Sequence, residues 1–400
     1  MAATLSPTAI AQQRHGEAWL MAPEAHTFWS QFKQFQAQFA THQPHDILLA
    51  EACPVRFLAA FLAATAHPCR LWLANPQWGH QEWQQVAAQC HPDIAIGTVP
   101  PLIKAPGKTE DKVQSPHSPS HPATQPPSHP ATQPPRSTIL IPTGGSSGNI
   151  RFDTHTWETL SASVQGFCQH FDCPTVNAYC LLPLYHVSGL MQALRCWLTG
   201  GKLVVQTFQA WLQQGPISQI IPSDDAVGSS SSFISLVPTQ LQRSLQASWD
   251  TVSWLKQFTA ILLGGAPPWP SLLTVSRDLR LPLAPTYGMT ETASQVATLL
   301  PREFLSGQAS SGRALPHAQL KIQDATSCDL PPGVVGAIAI AAQSLALASG
   351  TARITSPLRT GDLGYLDQAG FLHVVGRETA LIITGGEKVQ PAEVEAAILA

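Results

Sequence analysis

Between residues 45 and 104, short apolar runs alternate with helical patterns, and few architectures accept that order. Residues 47–49 (ILL), 69–74 (CRLWLA) and 93–96 (DIAI) read as strands. Residues 55–66 and 80–90 read as helices between them. Strands joined by crossover helices form a parallel sheet covered on both faces, so the expected class is α/β. The pattern breaks at residues 105–137, which are rich in Pro, Ser, His, Gln and Thr and carry the octapeptide SHPATQPP twice in tandem. Such a composition cannot bury a core and reads as a disordered insert. Two copies are too few for a solenoid.

The α/β pattern resumes at Ser137. Residues 137–141 (STILI) read as a strand, then the loop PTGGSSGNIRF (142–152), then a helix over 154–168. Strands are expected at 178–183, 202–206, 233–237 and 260–263, with a helix at 189–198. Beyond Pro331 the pattern turns strand-rich, at 335–341 and 370–375, and residues 391–400 (PAEVEAAILA) read as a helix. The expected boundaries are 1–104 and 138–376 for a large N-terminal domain with a β-rich subdomain. The insert occupies 105–137, and a small, incomplete α+β C-terminal domain begins at 377. A chain of 400 residues with 44% hydrophobic residues can bury a core of that size.

The loop has the chemistry of an anion cradle. Glycines let backbone N–H groups converge, and the hydroxyls of Ser146 and Ser147 add donors. It lacks the spacing G-x-x-x-x-G-K-[ST], and a Gly/Ser run by itself is as readily an ordinary turn. Other stretches narrow the choice. In residues 285–292 (PTYGMTET), Tyr287 offers a flat face, Thr290 a hydroxyl and Glu291 a hard oxygen ligand for Mg²⁺. In 359–364 (RTGDLG), Asp362 sits on a tight turn where a carboxylate accepts from two ribose hydroxyls. Gly376–Arg377 and residues 384–388 (TGGEK) follow. Taken singly, Tyr287 reads equally as core, Asp362 as a turn residue and Arg377 as a surface ion-pair partner.

In this order the segments resemble the acyl-adenylate-forming superfamily of acyl-CoA and aryl-CoA ligases, from about residue 40 to the end. Within it the chain is most similar to the o-succinylbenzoate–CoA ligase family of menaquinone and phylloquinone synthesis. The stretches LPLYHVSGLMQALR (182–195), LGGAPP (263–268) and TYGMTETASQ (286–295) carry that resemblance. The loop form PTGGSSGNIRF resembles the cyanobacterial branch.

The resemblance implies a large adenylate-forming domain. It also implies a reaction in which ATP and a carboxylate give acyl-AMP and pyrophosphate, after which CoA displaces AMP. It implies that Thr143, Gly144, Gly145, Ser146, Ser147 and Gly148 hold phosphates, with Arg151 keeping the positive charge where the family has Gly-x-Pro-Lys. Glu291 would bind Mg²⁺ and Thr290 the α-phosphate. Tyr287 and Gly288 would meet adenine, and Gly264, Gly265 and Ala266 would wall the adenine and acyl pocket. Asp362 would take the ribose with Arg377 beside it, and Gly385 and Gly386 would meet CoA.

For o-succinylbenzoate, Ser188 and Arg195 stand seven apart, two helical turns, so both would face one groove. Arg195 suits the spare carboxylate and His186 the acyl pocket, although Arg195 also reads as a surface residue and His186 as core. Two departures stand out. Thr379 occupies the place of the hinge acid, and the family's later lysine does not occur before Ala400, so the C-terminal domain reads as truncated. A ligase for another aryl or acyl acid and a non-catalytic acyl-adenylate binder are the competing readings.

Bulk properties exclude other classes. Charged residues are 12% and net charge is −3, so no basic surface points to nucleic acid or an anionic membrane. The run FLAAFLAATA (57–66) is too short to span a bilayer. No signal pattern opens the chain, and eight cysteines form no C-x-x-C pair, as expected of reduced thiols in a cytoplasmic protein. Oligomeric state is left open, a homo-oligomer included.

Overall fold

The computed structural model describes residues 5–103, 137–144, 149–217, 230–247, 249–348, 352, 357–378, 382–384 and 387–389. The expectations for 105–136, Gly145, Ser146, Ser147, Gly148, Thr379, Gly385, Gly386 and 391–400 lie outside these residues. From the N-terminus come α1 (Pro7–Gln13), β1 (Leu20–Met21), α2 (Phe28–His42), β2 (Asp46–Ala50), α3 (Pro54–Thr65), β3 (Arg70–Leu73), α4 (His80–Ala87) and β4 (Ile94–Gly97). Then follow β5 (Thr138–Gly144), β6 (Ile150–Thr156), α5 (Trp157–Phe171), β7 (Thr175–Cys180), α6 (Val187–Thr199), β8 (Leu203–Val205), β9 (Ser230–Leu236), β10 (Ala260–Leu263), β11 (Leu283–Met289), β12 (Ser294–Thr298) and β13 (Arg313–Ala314). The last strands are β14 (Ala318–Gln323), β15 (Gly336–Ala342), β16 (Leu358–Leu366), β17 (Leu372–Arg377), β18 (Ile382–Thr384) and β19 (Glu387–Val389).

Two helix-flanked sheets form the α/β body. One has the order β4-β2-β3-β5-β6, parallel except for the β5–β6 hairpin. The other has the order β1-β8-β7-β9-β10-β11-β12-β13, parallel until β11, after which it turns antiparallel. The sequence explains the layering. β2 (DILLA) and β10 (AILL) are buried at every position, as strands covered on both faces must be. The apolar run expected as a core helix is α3, started by Pro54 at a position where a missing N–H costs nothing. Phe28, Phe32, Phe35 and Phe39 put one helical stripe of α2 into the same core. The antiparallel sheet β14-β15-β16-β17 contains the strand-rich region expected after Pro331, but its first strand, β14, precedes that point, and β18–β19 is a separate hairpin.

One expectation is corrected. The loop does not lead directly into a helix at Thr154. Residues 150–156 form β6, paired with β5 from Thr138↔Thr156 to Gly144↔Ile150, and the helix runs instead over Trp157–Phe171. Thr156 remains extended (φ −121°, ψ 168°), and its hydroxyl accepts from Thr159 N–H, so the helix starts one residue later. Thr143 and Gly144 at the end of β5 therefore pair with Arg151 and Ile150 at the start of β6.

Candidate active site

Four strands, β10, β11, β16 and β17, converge on a cavity of about 570 Å³ whose lining includes Gly265, Ala266, Tyr287, Gly288, Asp362 and Arg377. β10 runs out into Gly264 and Gly265. β11 brings Tyr287 in from the eight-stranded sheet, and β16 and β17 bring Asp362 and Arg377 from the antiparallel sheet. Gly288 is required by backbone crowding: a Cβ there would lie 2.1 Å from the Ser294 carbonyl oxygen, where the β11–β12 ladder carries a bulge. Tyr287 Oη donates to Asp362 Oδ2 at 2.7 Å, and Arg377 Nε lies 3.3 Å from Asp362 Oδ1. Asp362 and Arg377 are register partners across β16 and β17. A carboxylate has about four lone-pair positions. With one contact on each oxygen, Asp362 retains acceptor capacity for a diol, the chemistry a ribose needs.

Thr290 and Glu291 lie in a single 3-10 turn directly after β11. The turn is held from several sides. Thr292 Oγ1 donates within it and accepts from Met289 N–H at 3.0 Å. Ala346 N–H donates to the Glu291 carbonyl at 2.8 Å, and Leu347 N–H donates to the Thr154 carbonyl on β6 at 2.8 Å. His155, fully buried on β6, places Nε2 2.8 Å from the Thr290 carbonyl and Nδ1 3.1 Å from Thr159 Oγ1. Burial pulls its pKa down to about 4, so the ring is neutral and bridges hairpin and turn by hydrogen bonds alone. Sequence reasoning missed His155, since an isolated histidine among threonines carries no periodic signal.

Two places before it, Asp153 has a buried Oδ2 without a hydrogen-bond partner. Burial and then the Glu291 charge push its carboxyl up to about 7. An orphaned carboxylate oxygen beside a second carboxylate is the donor chemistry a hard divalent cation takes, so the residues present fit Mg²⁺. Among the described residues no group of three or more His, Cys, Asp or Glu forms a metal cluster. Thr143 and Gly144 end β5 and Arg151 is exposed near the start of β6, so they flank residues 145–148 on both sides.

The residues expected to meet the acid lie on α6. His186 is its exposed N-cap and Ser188 is in its first turn. Arg195 is not on the surface. It is 2% exposed, with its guanidinium carbon 4.2 Å from the centroid of Phe167. Nη2 makes only long contacts, 3.3 Å to Gln295 Oε1 and 3.5 Å to Ser294 Oγ, and Nε has no partner. No carboxylate pairs with it among the described residues. Burial pulls its pKa down to about 10, so it is charged at neutral pH. Arg195 is not part of the lining of the nucleotide-side cavity.

The fold is α/β, and the chain belongs to the AMP-binding enzyme family, whose model matches residues 42–348. Among named relatives it is similar to the 2-succinylbenzoate–CoA ligase of Listeria innocua. That match has 30% identity over 272 residues, covering 65% of this chain and 53% of the relative. The ligase of the same name from Geobacillus kaustophilus is 32% identical over 282 residues, covering 66% of this chain and 53% of the relative. The chain thus spans about half the length of the curated relatives it matches. The fold matches that of o-succinylbenzoate CoA synthetase (MenE) from Bacillus subtilis in complex with OSB-AMP. The TM-score is 0.74 at 22% identity, over 98% of this chain and 82% of that one.

Proposed function

We propose that the protein takes part in ATP-dependent ligation of CoA to o-succinylbenzoate through an acyl-adenylate, as in menaquinone or phylloquinone synthesis. The observation that carries this reading is Arg195. A buried guanidinium without an anion is costly, and it is tolerated where a ligand supplies the missing charge. o-Succinylbenzoate has two carboxylates. The succinyl group is the one activated, and the aromatic one is left to pair with Arg195 through a charge-assisted hydrogen bond. The similarity of the chain to the named ligases, at 30% and 32% identity, supports the same substrate.

In the first half-reaction the acid carboxylate attacks the α-phosphate and pyrophosphate leaves. Negative charge gathers on phosphate oxygens, so the protein's task is positioning and neutralisation. Asp362 receives the ribose hydroxyls, while Tyr287 and Arg377 fix its orientation. Thr290 offers its hydroxyl to the α-phosphate from the turn braced by His155. Thr143, Gly144, residues 145–148 and Arg151 hold the outgoing phosphates, and Gly264, Gly265, Ala266 and Gly288 shape the adenine side. A divalent cation held by Glu291, with Asp153 beside it, would neutralise the phosphate oxygens. In the second half-reaction CoA thiolate displaces AMP, with Gly385 and Gly386 assigned to the CoA arm.

Calorimetric titration with non-hydrolysable o-succinylbenzoyl-, benzoyl- and acetyl-adenylate mimics tests this. Preference for the first, reduced about ten-fold or more by Arg195→Ala, is the expected outcome. Equal affinity for all three would sink the dicarboxylate assignment.

A further inference from the structure

A second buried cation-capable group lies beside Arg195, and nothing in the reaction described so far uses it. His317, just before β14, is 8% exposed, and neither ring nitrogen has a hydrogen-bond partner. A buried imidazole with both nitrogens unsatisfied is rare, because each lost partner costs about 1–3 kcal/mol. Its place is built. The ring lies against Gly166 of α5, where any Cβ would come within 1.8 Å of Nδ1. Phe167, the next residue of α5, carries the guanidinium of Arg195. Adjacent positions on one helix therefore hold two side chains, both with unsatisfied N–H capacity and neither facing an acid. The two sense each other: after burial, the Arg195 charge is the further cause that pulls the His317 pKa down to about 4. Gln295, 4% exposed, donates its amide nitrogen to Thr298 Oγ1 at 3.0 Å, and Gln192, one turn before Arg195 on α6 and 1% exposed, donates its own to the Ser188 carbonyl at 3.0 Å while its Oε1 has no partner.

One absent anion would satisfy both groups. We infer that His317 is a specificity-determining residue that donates an N–H to the same substrate carboxylate that Arg195 Nε receives. The neutral ring suffices as donor. A carboxylate with about four lone-pair positions can accept from both groups at once. The inference rests on the dicarboxylate reading above. It adds that selectivity for the second carboxylate is divided between α6 and the segment leading into β14. An acid lacking that carboxylate would leave Arg195 and His317 unpaired together, which is how polar pockets reject analogues.

The test uses the same adenylate mimics on the whole chain. His317→Leu should lower affinity for the o-succinylbenzoyl mimic about ten-fold or more, while His317→Gln, which keeps a donor, should stay within about three-fold of the parent. Affinity for the benzoyl mimic should be unchanged in both, which also shows that the variants fold. Selective loss in Leu with rescue in Gln supports the assignment. Unchanged o-succinylbenzoyl affinity in Leu overturns it, as does an equal loss for both mimics, which marks a structural role. If the parent protein itself does not distinguish the mimics, the dicarboxylate reading fails first, and that result is read before any variant is made.

Discussion

At the scale of single residues, burial decides what the site's groups can do. His155 and His317 are both held neutral, with pKa values pulled down to about 4 chiefly by burial. A base whose folded pKa lies below its unfolded value near 6.5 binds fewer protons when folded. Its contribution to stability is then intact above 6.5 and is lost as pH falls toward 4. The protein should therefore lose about 1–3 kcal/mol per histidine over that window. His317→Gln should flatten the loss, read as the difference in denaturation midpoint between pH 7 and pH 4.5; an unaltered pH slope would show that His317 is not held neutral. At this scale the sequence was partly legible. Tyr287, Gly288, Asp362 and Arg377, expected from motifs far apart in the chain, line one cavity. The alternative reading of Arg195 as a surface residue does not hold, since it is 2% exposed. The histidines stayed hidden because their partners are distant: His155 meets Thr290 across 135 positions. No local pattern encodes such a contact.

At the scale of elements, regular apolar runs could be read and mixed ones could not. β2, β3 and β10 are short, mostly aliphatic and largely buried, and each lies where its run predicts, whereas β7 (Thr175–Cys180) begins and ends three residues before the expected 178–183. β6 (IRFDTHT) has polar residues at most positions and only two buried ones, so its pairing with β5 comes from tertiary context. α6 shows what holds an element that carries function. Its C-terminal carbonyls receive Arg14 from the N-terminal segment: Nη1 donates to Cys196 O at 2.7 Å and to Trp197 O at 3.2 Å, and Nη2 donates to Gly201 O at 2.8 Å. Arg14 is 3% exposed and also pairs with Glu17 at 2.7 Å. A cation at a helix C-terminus is favoured by the macrodipole, and here it adds donors to the Trp197 and Gly201 carbonyls and to that of Cys196, which also accepts from Gly201 N–H. Arg14→Ala should cost about 2–4 kcal/mol in chemical denaturation, since buried acceptors would be left bare. A cost below about 0.5 kcal/mol, the level of an ordinary surface change, would contradict this role.

At the scale of the whole molecule, the cavity lies where the eight-stranded sheet meets the antiparallel one, and Tyr287–Asp362 is one of the hydrogen bonds across that junction. A nucleotide bound there should stabilise both sheets together. At a hundred times its dissociation constant, AMP should raise Tm by about 3–5 °C, and Asp362→Ala should abolish the shift. A full shift in the variant would put the nucleotide elsewhere. The order of strands in each sheet was not legible, and least of all was the docking of the first residues. β1 is only Leu20–Met21, yet it pairs with Leu203–Val204 and closes one edge of the larger sheet. That docking also has a consequence in time. Arg14 is made well before its three carbonyl partners, which come 182 to 187 positions later. At 5–20 residues per second, the leading segment waits on the order of 10–40 s before its binding place exists. Arg14 and the segment around it are therefore placed late, although they are made early relative to α6.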